Sequence, residues 1–317
     1  MSELAKKFQG ALVDQFQSSK GKIVVVDSSL IPIQGFNLIL DNKIQSAPVF
    51  DNVAGKYSGF LDIRDLVSFS LFIHDNNVQA NTLLDVVNFG VKMFKHNADV
   101  TVTYLSRRNP FHSLQSGNNL LKIVEILANG QHRVPIVDKD DRLVNIISQS
   151  TVIQFIYNNI GTDLLPELNK TLAELTELGN APVLHAKTTT SAIDVFRQMD
   201  NTRRSGVAIV DENGRLVGGT SSQDLKLFIT TPSTKVLESP IMQFLNQIRQ
   251  LNNEDNTQTK PLYCTLNETL KDLIVKLVES RHHRVFVVDS ESSLKLIKVV
   301  SITDILKLIV NKINSQK

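Results

Sequence analysis

Four short apolar runs in this chain share one form, and their recurrence constrains the fold more than any other feature. They are Ala47-Pro48-Val49-Phe50-Asp51, Val134-Pro135-Ile136-Val137-Asp138, Val207-Ala208-Ile209-Val210-Asp211 and Val285-Phe286-Val287-Val288-Asp289. Each is rich in β-branched or aromatic residues and stops at an aspartate followed by polar or glycine residues, the pattern of a buried strand entering a turn. The closing aspartates recur at intervals of about 80 residues, a period that marks internal repeats. Upstream of the run lies an amphipathic helix pattern, as in Leu120, Ile123, Val124 and Leu127 or Leu270, Leu273, Ile274 and Leu277. That i, i+3, i+4, i+7 spacing buries one helical face.

Downstream, a turn leads to a second short strand: Ser58 to Leu61, Leu143 to Ile147, Leu216 to Gly219 and Leu296 to Val300. A second apolar helix follows, as at Ile63 to Ile73 and Asp304 to Val310. The unit therefore reads strand, helix, strand, strand, helix. At roughly 50–60 residues such a unit is marginal on its own, so pairing of copies is expected. Thr82, Leu83, Val86, Val87 and Val91 predict a helix between the first two copies, Leu164 to Gly179 reads as the join between the two halves, and Asn252 to Lys260 reads as a surface loop.

Bulk composition narrows the function. With 317 residues, a net charge of +2 and 21% charged residues, neither a nucleic-acid nor a membrane footprint is expected. The lone Cys264 forms no internal disulfide, which argues against secretion. The sequons at Asn169 and Asn267 then read as chance matches. The charged and apolar residues at the N-terminus do not form a signal peptide. No stretch approaches the ~18 apolar residues of a membrane span. A cytoplasmic location, with the nucleus open, is expected. Gly218-Gly219 lacks the Lys-Ser/Thr of a phosphate loop, and the histidines and cysteine show no zinc spacing. With no nucleophile elbow either and about 20 N-terminal residues ahead of the first repeat, a non-enzyme is expected.

Strand, turn and strand followed by Ser/Thr-x-x-Asp at a helix start resemble the CBS (cystathionine-β-synthase) repeat. Three copies carry a polar-x-x-Asp element there: Asp62-Ile-Arg-Asp65, Ser221-Ser-Gln-Asp224 and Ser301-Ile-Thr-Asp304, whereas copy two reads Ser148-Gln-Ser-Thr151. Four copies, with His132-Arg133 and His283-Arg284 before the strand in copies two and four, are similar to the gamma regulatory subunit of AMP-activated protein kinase. The resemblance covers residues 20 to 314. It implies an α/β fold of four CBS repeats, βαββα-type units packed as two tandem pairs in a pseudo-symmetric disc. The expected boundaries are an N-terminal helical extension over 1–20 and repeats over 21–77, 100–160, 180–232 and 259–314.

The same resemblance implies a regulatory subunit that binds AMP, ADP or ATP as ligands, with no cofactor or metal, and partners the catalytic (alpha) and scaffold (beta) subunits of a kinase. Asp65, Asp224 and Asp304, with Ser221 and Ser301, would take ribose. His132, Arg133, His283 and Arg284 would take phosphate, because Arg forks around phosphate oxygens and His adds a donor. Apolar groove residues would hold adenine. The competing reading of the acids is a helix N-cap with an acidic first turn. Their absence from copy two alone favours a ligand role, since a cap has no reason to fail in one copy. His282 is expected at the surface. Copies one and three have Gln45-Ser46 and Ser205-Gly206 in place of His-Arg, with Arg203 and Arg204 as partial substitutes in copy three. These departures support an alternative, a CBS-repeat protein regulating another client such as a phosphatase, with little nucleotide binding.

Overall fold

A computed structural model describes residues 3–16, 23–75, 101–160, 165–226, 234–251 and 261–315. The helix expected around Thr82 to Val91 and the loop expected over Asn252 to Lys260 lie outside the described residues. Among the described residues no helix is long and apolar enough to cross a membrane.

Each copy forms one three-stranded sheet, its first two strands parallel and its last two antiparallel. In copy one these are β1 (Val26–Asp27), β2 (Ser46–Asp51) and β3 (Lys56–Asp62), with helices α2 (Pro32–Asp41) and α3 (Asp65–Asp75) following the first and third strands. A helix at Glu3–Gly10 precedes them as α1. Copies two and four repeat the order strand, helix, strand, strand, helix, and in copy three a 3-10 turn at Ser222–Leu225 follows the third strand.

The aspartate that closes each run has a structural task. Asp138 Oδ1 accepts from the backbone N–H of Asp140 and Arg142, both at 2.9 Å. Asp211 Oδ1 does the same with Asn213 and Arg215, and Asp51 with Val53 and Ala54. A carboxylate that organises its own following backbone builds the hairpin turn, and those bonds hold the Asp138 carboxyl below its ordinary range.

Two compact units result, each containing alternate copies. Residues 1–23, 112–183 and 262–317 form the first, with copies two and four; residues 24–111 and 184–261 form the second, with copies one and three. In the first unit the last helix of copy four (Ile302–Asn314) packs on the first helix of copy two (Leu120–Ala128). Reciprocally, the first helix of copy four (Leu270–Glu279) packs on the last helix of copy two (Gln149–Asn158). The reciprocity is that of a pseudo-two-fold, and one continuous apolar core lies beneath it. In the second unit α3 packs on the first helix of copy three (Ala192–Thr202) above a core of its own.

Consecutive copies are linked through their leading segments. The leader of copy one, residues 3–16, lies in the unit of copy two, with Leu4, Ala5 and Phe8 fully buried against the helix Leu120–Ala128. The leader of copy two, residues 101–109, packs on β2 and β3 of copy one. Residues 165–178, which lead into copy three, dock on copy four through Leu165, Leu168, Leu172, Leu175 and Leu178. That stretch, expected as a join between halves, is core. Lys298 pins it, with its buried ammonium donating to the carbonyls of Leu172 and Leu175 at 3.1 and 3.2 Å.

One backbone device recurs in three leaders. Ala11, Lys170 and Ser239 accept from the N–H of Leu120, Leu270 and Ala192, the first helical residue of a copy each time. Two residues on, Val13, Leu172 and Ile241 donate back to Asn118, Glu268 and Thr190. Free helix-start N–H groups need partners, and here the leaders supply them.

Candidate functional site

The tandem register places the expected residues at the helix starts. Arg133 pairs with Ser148, Arg284 with Ser301, Ser46 with Asp62 and Gly206 with Ser221. Each pairing therefore sets the first residue of the central strand across from the first residue of a helix-start tetrad. His132, Arg133 and Arg284 are half-buried, and His283 and His282 are exposed.

In all four tetrads the fourth side chain accepts from the backbone N–H of the first residue. The backbone N–H of Ser301 donates to Asp304 Oδ2 at 2.8 Å, that of Ser221 to Asp224 Oδ2 at 2.7 Å and that of Asp62 to Asp65 Oδ2 at 2.9 Å. Ser301 and Ser221 complete capping boxes. In copy two the hydroxyl of Thr151 takes the same position, accepting from the Ser148 N–H at 3.4 Å. The cap therefore does not fail where the acid is missing. The inference that an absent acid argues against capping is corrected: Thr151 caps without a carboxylate, so the pattern of acids does not by itself separate the two roles.

A second set of contacts distinguishes the acids. Asn180 donates to Asp304 Oδ1 at 2.8 Å, and Asn109 donates to Asp65 Oδ2 at 2.9 Å. Both asparagines come from leaders, and both leaders pair their backbone with the last strand beneath: Asn180 with Val299 in both directions, and Asn109 O with the Phe60 N–H at 2.8 Å. The sequence signal for them is slight, an asparagine one or two residues before Pro110 and Pro182. Asp304 thus has one oxygen on the cap and one on Asn180. Each carboxylate oxygen has two lone-pair directions, so acceptor capacity toward a further donor remains.

In the unit of copies two and four the two helix starts meet. Gln149 Nε2 donates to Thr303 Oγ1 at 2.9 Å, its Oε1 lies 3.2 Å from His132 Nδ1, and Ser150 Oγ lies 3.2 Å from His283 Nε2. Both histidines of the expected phosphate set therefore lie at one polar meeting of the two copies, His132 bonded to Gln149 and His283 to Ser150. Helix N-termini add free N–H groups and a positive dipole end to it. Gln149, Ser150 and Thr303 carry no signal in the sequence that marks them as ligands.

In the unit of copies one and three, Gln45 and Gln223 are hydrogen-bonded across the copies, at the phase occupied by His283 and Ser150 in the other unit. Arg64 is clamped by both oxygens of Asp62 at 2.9 and 3.3 Å and by Asn109 Oδ1 at 3.1 Å. Asp65 is buried. Burial first, and then the neighbouring Asp62 carboxylate, push its carboxyl up to about 7, against the pull of the Asp62 N–H, Arg64 and Arg108.

The family model for the CBS domain matches residues 102–158, 175–229 and 256–311. The gamma subunit of 5'-AMP-activated protein kinase from Saccharomyces cerevisiae is 24% identical over 293 residues, covering 91% of this chain and 86% of that protein. Protein SDS23 of Candida albicans is 24% identical over 299 residues, covering 86% of this chain and 48% of that protein. The chain thus spans most of the length of the yeast subunit and about half that of SDS23. The structure of MJ1225 from Methanocaldococcus jannaschii, described as a candidate archaeal homologue of g-AMPK, superposes with a TM-score of 0.64 at 19% identity, over 94% of this chain and 100% of that one. At that identity the likeness concerns the fold. The chain belongs to the CBS domain family, with four repeats that resemble those of AMP-activated protein kinase gamma subunits.

Proposed function

We propose that this chain is a non-catalytic regulatory subunit that binds adenine nucleotides between its CBS repeats and thereby regulates a protein kinase of the AMP-activated type. The observation that carries this reading is the meeting of the two helix starts, where Gln149 joins His132 and Thr303, and Ser150 joins His283, beside Arg133 and Arg284. A phosphate there would take donors from histidine, arginine and helix N–H groups together. Asp304, held by Ser301 and Asn180, would accept ribose hydroxyls, with Asp224, Ser221 and Asp65 as counterparts in the other unit. Nucleotides that bind one arrangement of the repeats better shift the population toward it, and the kinase catalytic and scaffold subunits would sense that shift. Likeness to a named kinase gamma subunit over most of both chains supports the choice of client. The cytoplasm and nucleus are the expected locations of such a complex.

Copy two supplies the control that separates a ligand from a cap. Asp304→Thr copies Thr151, keeping a capping group and deleting the carboxylate. Calorimetric titration of the purified chain with AMP, ADP and ATP is expected to show at least a tenfold loss of affinity in Asp304→Thr. Folding stability should fall by no more than a cap exchange allows, about 1 kcal/mol. Unchanged nucleotide affinity in the variant would overturn the ribose role of Asp304. No binding by the unaltered chain at millimolar nucleotide would sink the sensor reading.

A second reading has its own support: copies one and three lack the His-Arg pair, and SDS23 matches at the same 24% identity as the yeast gamma subunit. On that reading the repeats regulate another client, such as a phosphatase, with little nucleotide binding. Co-purification with kinase alpha and beta subunits, against co-purification with a phosphatase, decides between the two.

A further inference from the structure

The outer face of the copy-one hairpin carries a cluster of aromatic rings. Phe50 and Tyr57 pair across β2 and β3 with ring centroids 5.2 Å apart. Phe111, two residues past the leader of copy two, stacks on Tyr57 at 4.4 Å with the ring planes 11° apart. It also lies over Phe60 at 5.7 Å and 19°. Phe60 is 5% exposed, and the other three rings are half-buried. In the remaining three copies the positions of Phe50, Tyr57 and Phe60 are held by aliphatic residues or glycine.

Asn109 ties this cluster to the acid of copy one. Its Nδ2 donates to Asp65 Oδ2 at 2.9 Å and to the Phe60 carbonyl at 3.3 Å, while its own carbonyl accepts from the Phe60 N–H at 2.8 Å. A ribose on Asp65 would leave its base one sugar away, and a base takes a flat apolar partner to stack on. The rings that adjoin Asp65 through Asn109 are turned onto one another instead. None of them lines the concavity of about 190 Å³ beside the carboxylate, which is small next to the roughly 300–1,000 Å³ of sites that enclose a drug-sized ligand. Copy four is the contrast. Asn180 holds Val299 and Asp304 as Asn109 holds Phe60 and Asp65, but two residues on stands the exposed Pro182 rather than a ring laid on the strand.

We propose that Phe111 is a gate in copy one: its ring fills the place where a nucleotide base would stack, and a base enters beside Asp65 only when that ring leaves Tyr57 and Phe60. The inference rests on the nucleotide reading above and makes copies one and four unequal although both carry the acid. A site whose competent state is a minor fraction of the molecules binds more weakly by that fraction. Removing the ring raises the fraction. A ligand that has a sugar and a phosphate but no base does not need the ring to move, so the gate selects against bases alone.

The test is made on the full chain carrying Asp304→Thr, which removes the carboxylate of copy four. Adding Phe111→Ala is expected to tighten AMP by about tenfold or more in calorimetric titration, and adding Asp65→Asn as well should cancel the gain. Ribose 5-phosphate should bind equally with and without the ring. A second variant guards against damage from the truncation. The chain has no tryptophan, so Phe111→Trp sets a single indole against Tyr57, and its emission should shift to the red as AMP displaces it into water. Unchanged AMP affinity in a folded Phe111→Ala chain, an equal gain for ribose 5-phosphate, or indole emission that stays fixed up to millimolar AMP would each overturn the gate. None of these results touches AMP binding by the unaltered chain, so the gate can fail while the nucleotide reading stands. Failure of that reading shows instead as no AMP binding by the unaltered chain or by Phe111→Ala, and it removes the gate as well.

Discussion

Asp65→Asn is expected to stabilise the unit of copies one and three at pH 8, by on the order of 2–4 kcal/mol. Asp65 is 4% exposed, and its carboxyl is shifted from an ordinary 3.8 to about 7 by burial and by Asp62. A carboxyl whose pKa is raised on folding binds its proton more tightly in the folded state. The stability it contributes is therefore complete below about pH 4 and is lost as pH rises through about 7. Asparagine stays neutral throughout, and its side-chain oxygen can still accept from the Asp62 N–H and from Asn109. Urea midpoints of the unaltered chain should fall between pH 5 and pH 8, while those of the variant stay level and lie above them at pH 8. Parallel profiles would mean that Asp65 ionises without cost. On the proposed function the same variant loses an acceptor for ribose, so stability and binding should move in opposite directions, as expected where a site retains a costly group.

The repeats are legible in the sequence because each copy restates the same local physics. Apolar runs of one length end in an aspartate that orders its own turn, and an amphipathic helix precedes them. The helix-start tetrads are legible for the same reason, and so is the weakness of copies one and three in His-Arg pairs. What is not legible depends on contacts between distant segments. Leaders are short and have no strong period of their own, so Leu165 to Leu178 reads as a connection although all five of its leucines at 165, 168, 172, 175 and 178 are buried. Asn109 and Asn180 acquire a role only when a leader is laid beside the last strand of a different segment. Arg108 lies in a leader too, and it joins Arg64 and Arg203 only through the packing of copy one on copy three. Thr151 is hidden by chemistry rather than distance: a hydroxyl reaches the same N–H as a carboxylate, and a count of acids does not reveal it.

Leader docking is itself testable at one atom, and Gly59→Ala is expected to cost about 3 kcal/mol. Gly59 lies in β3 with φ +154, where a Cβ would overlap the Ser106 carbonyl oxygen and come within 2.8 Å of Asn109 O. Both obstacles are backbone, so no change of rotamer relieves them and the leader must lift. With it would go the Phe60–Asn109 backbone bond at 2.8 Å, the Ser58–Ser106 hydroxyl pair at 2.8 Å and the hold of Asn109 on Asp65. Gly55 in the same hairpin provides the reference, since it has φ +62 but nothing within 4 Å of the place a Cβ would take. Gly55→Ala carries only the conformational cost of a side chain at positive φ, about 1 kcal/mol. Copy four builds the same junction from the opposite partner: Gly179 belongs to the leader, with φ +95, and a Cβ there would lie 2.8 Å from Val299 O. Urea midpoints should separate Gly59→Ala from Gly55→Ala by about 2 kcal/mol, because only the first lifts the leader. Equal losses of stability in the two variants would mean that the leader of copy two is a passenger on copy one rather than the element that holds Asp65 in place.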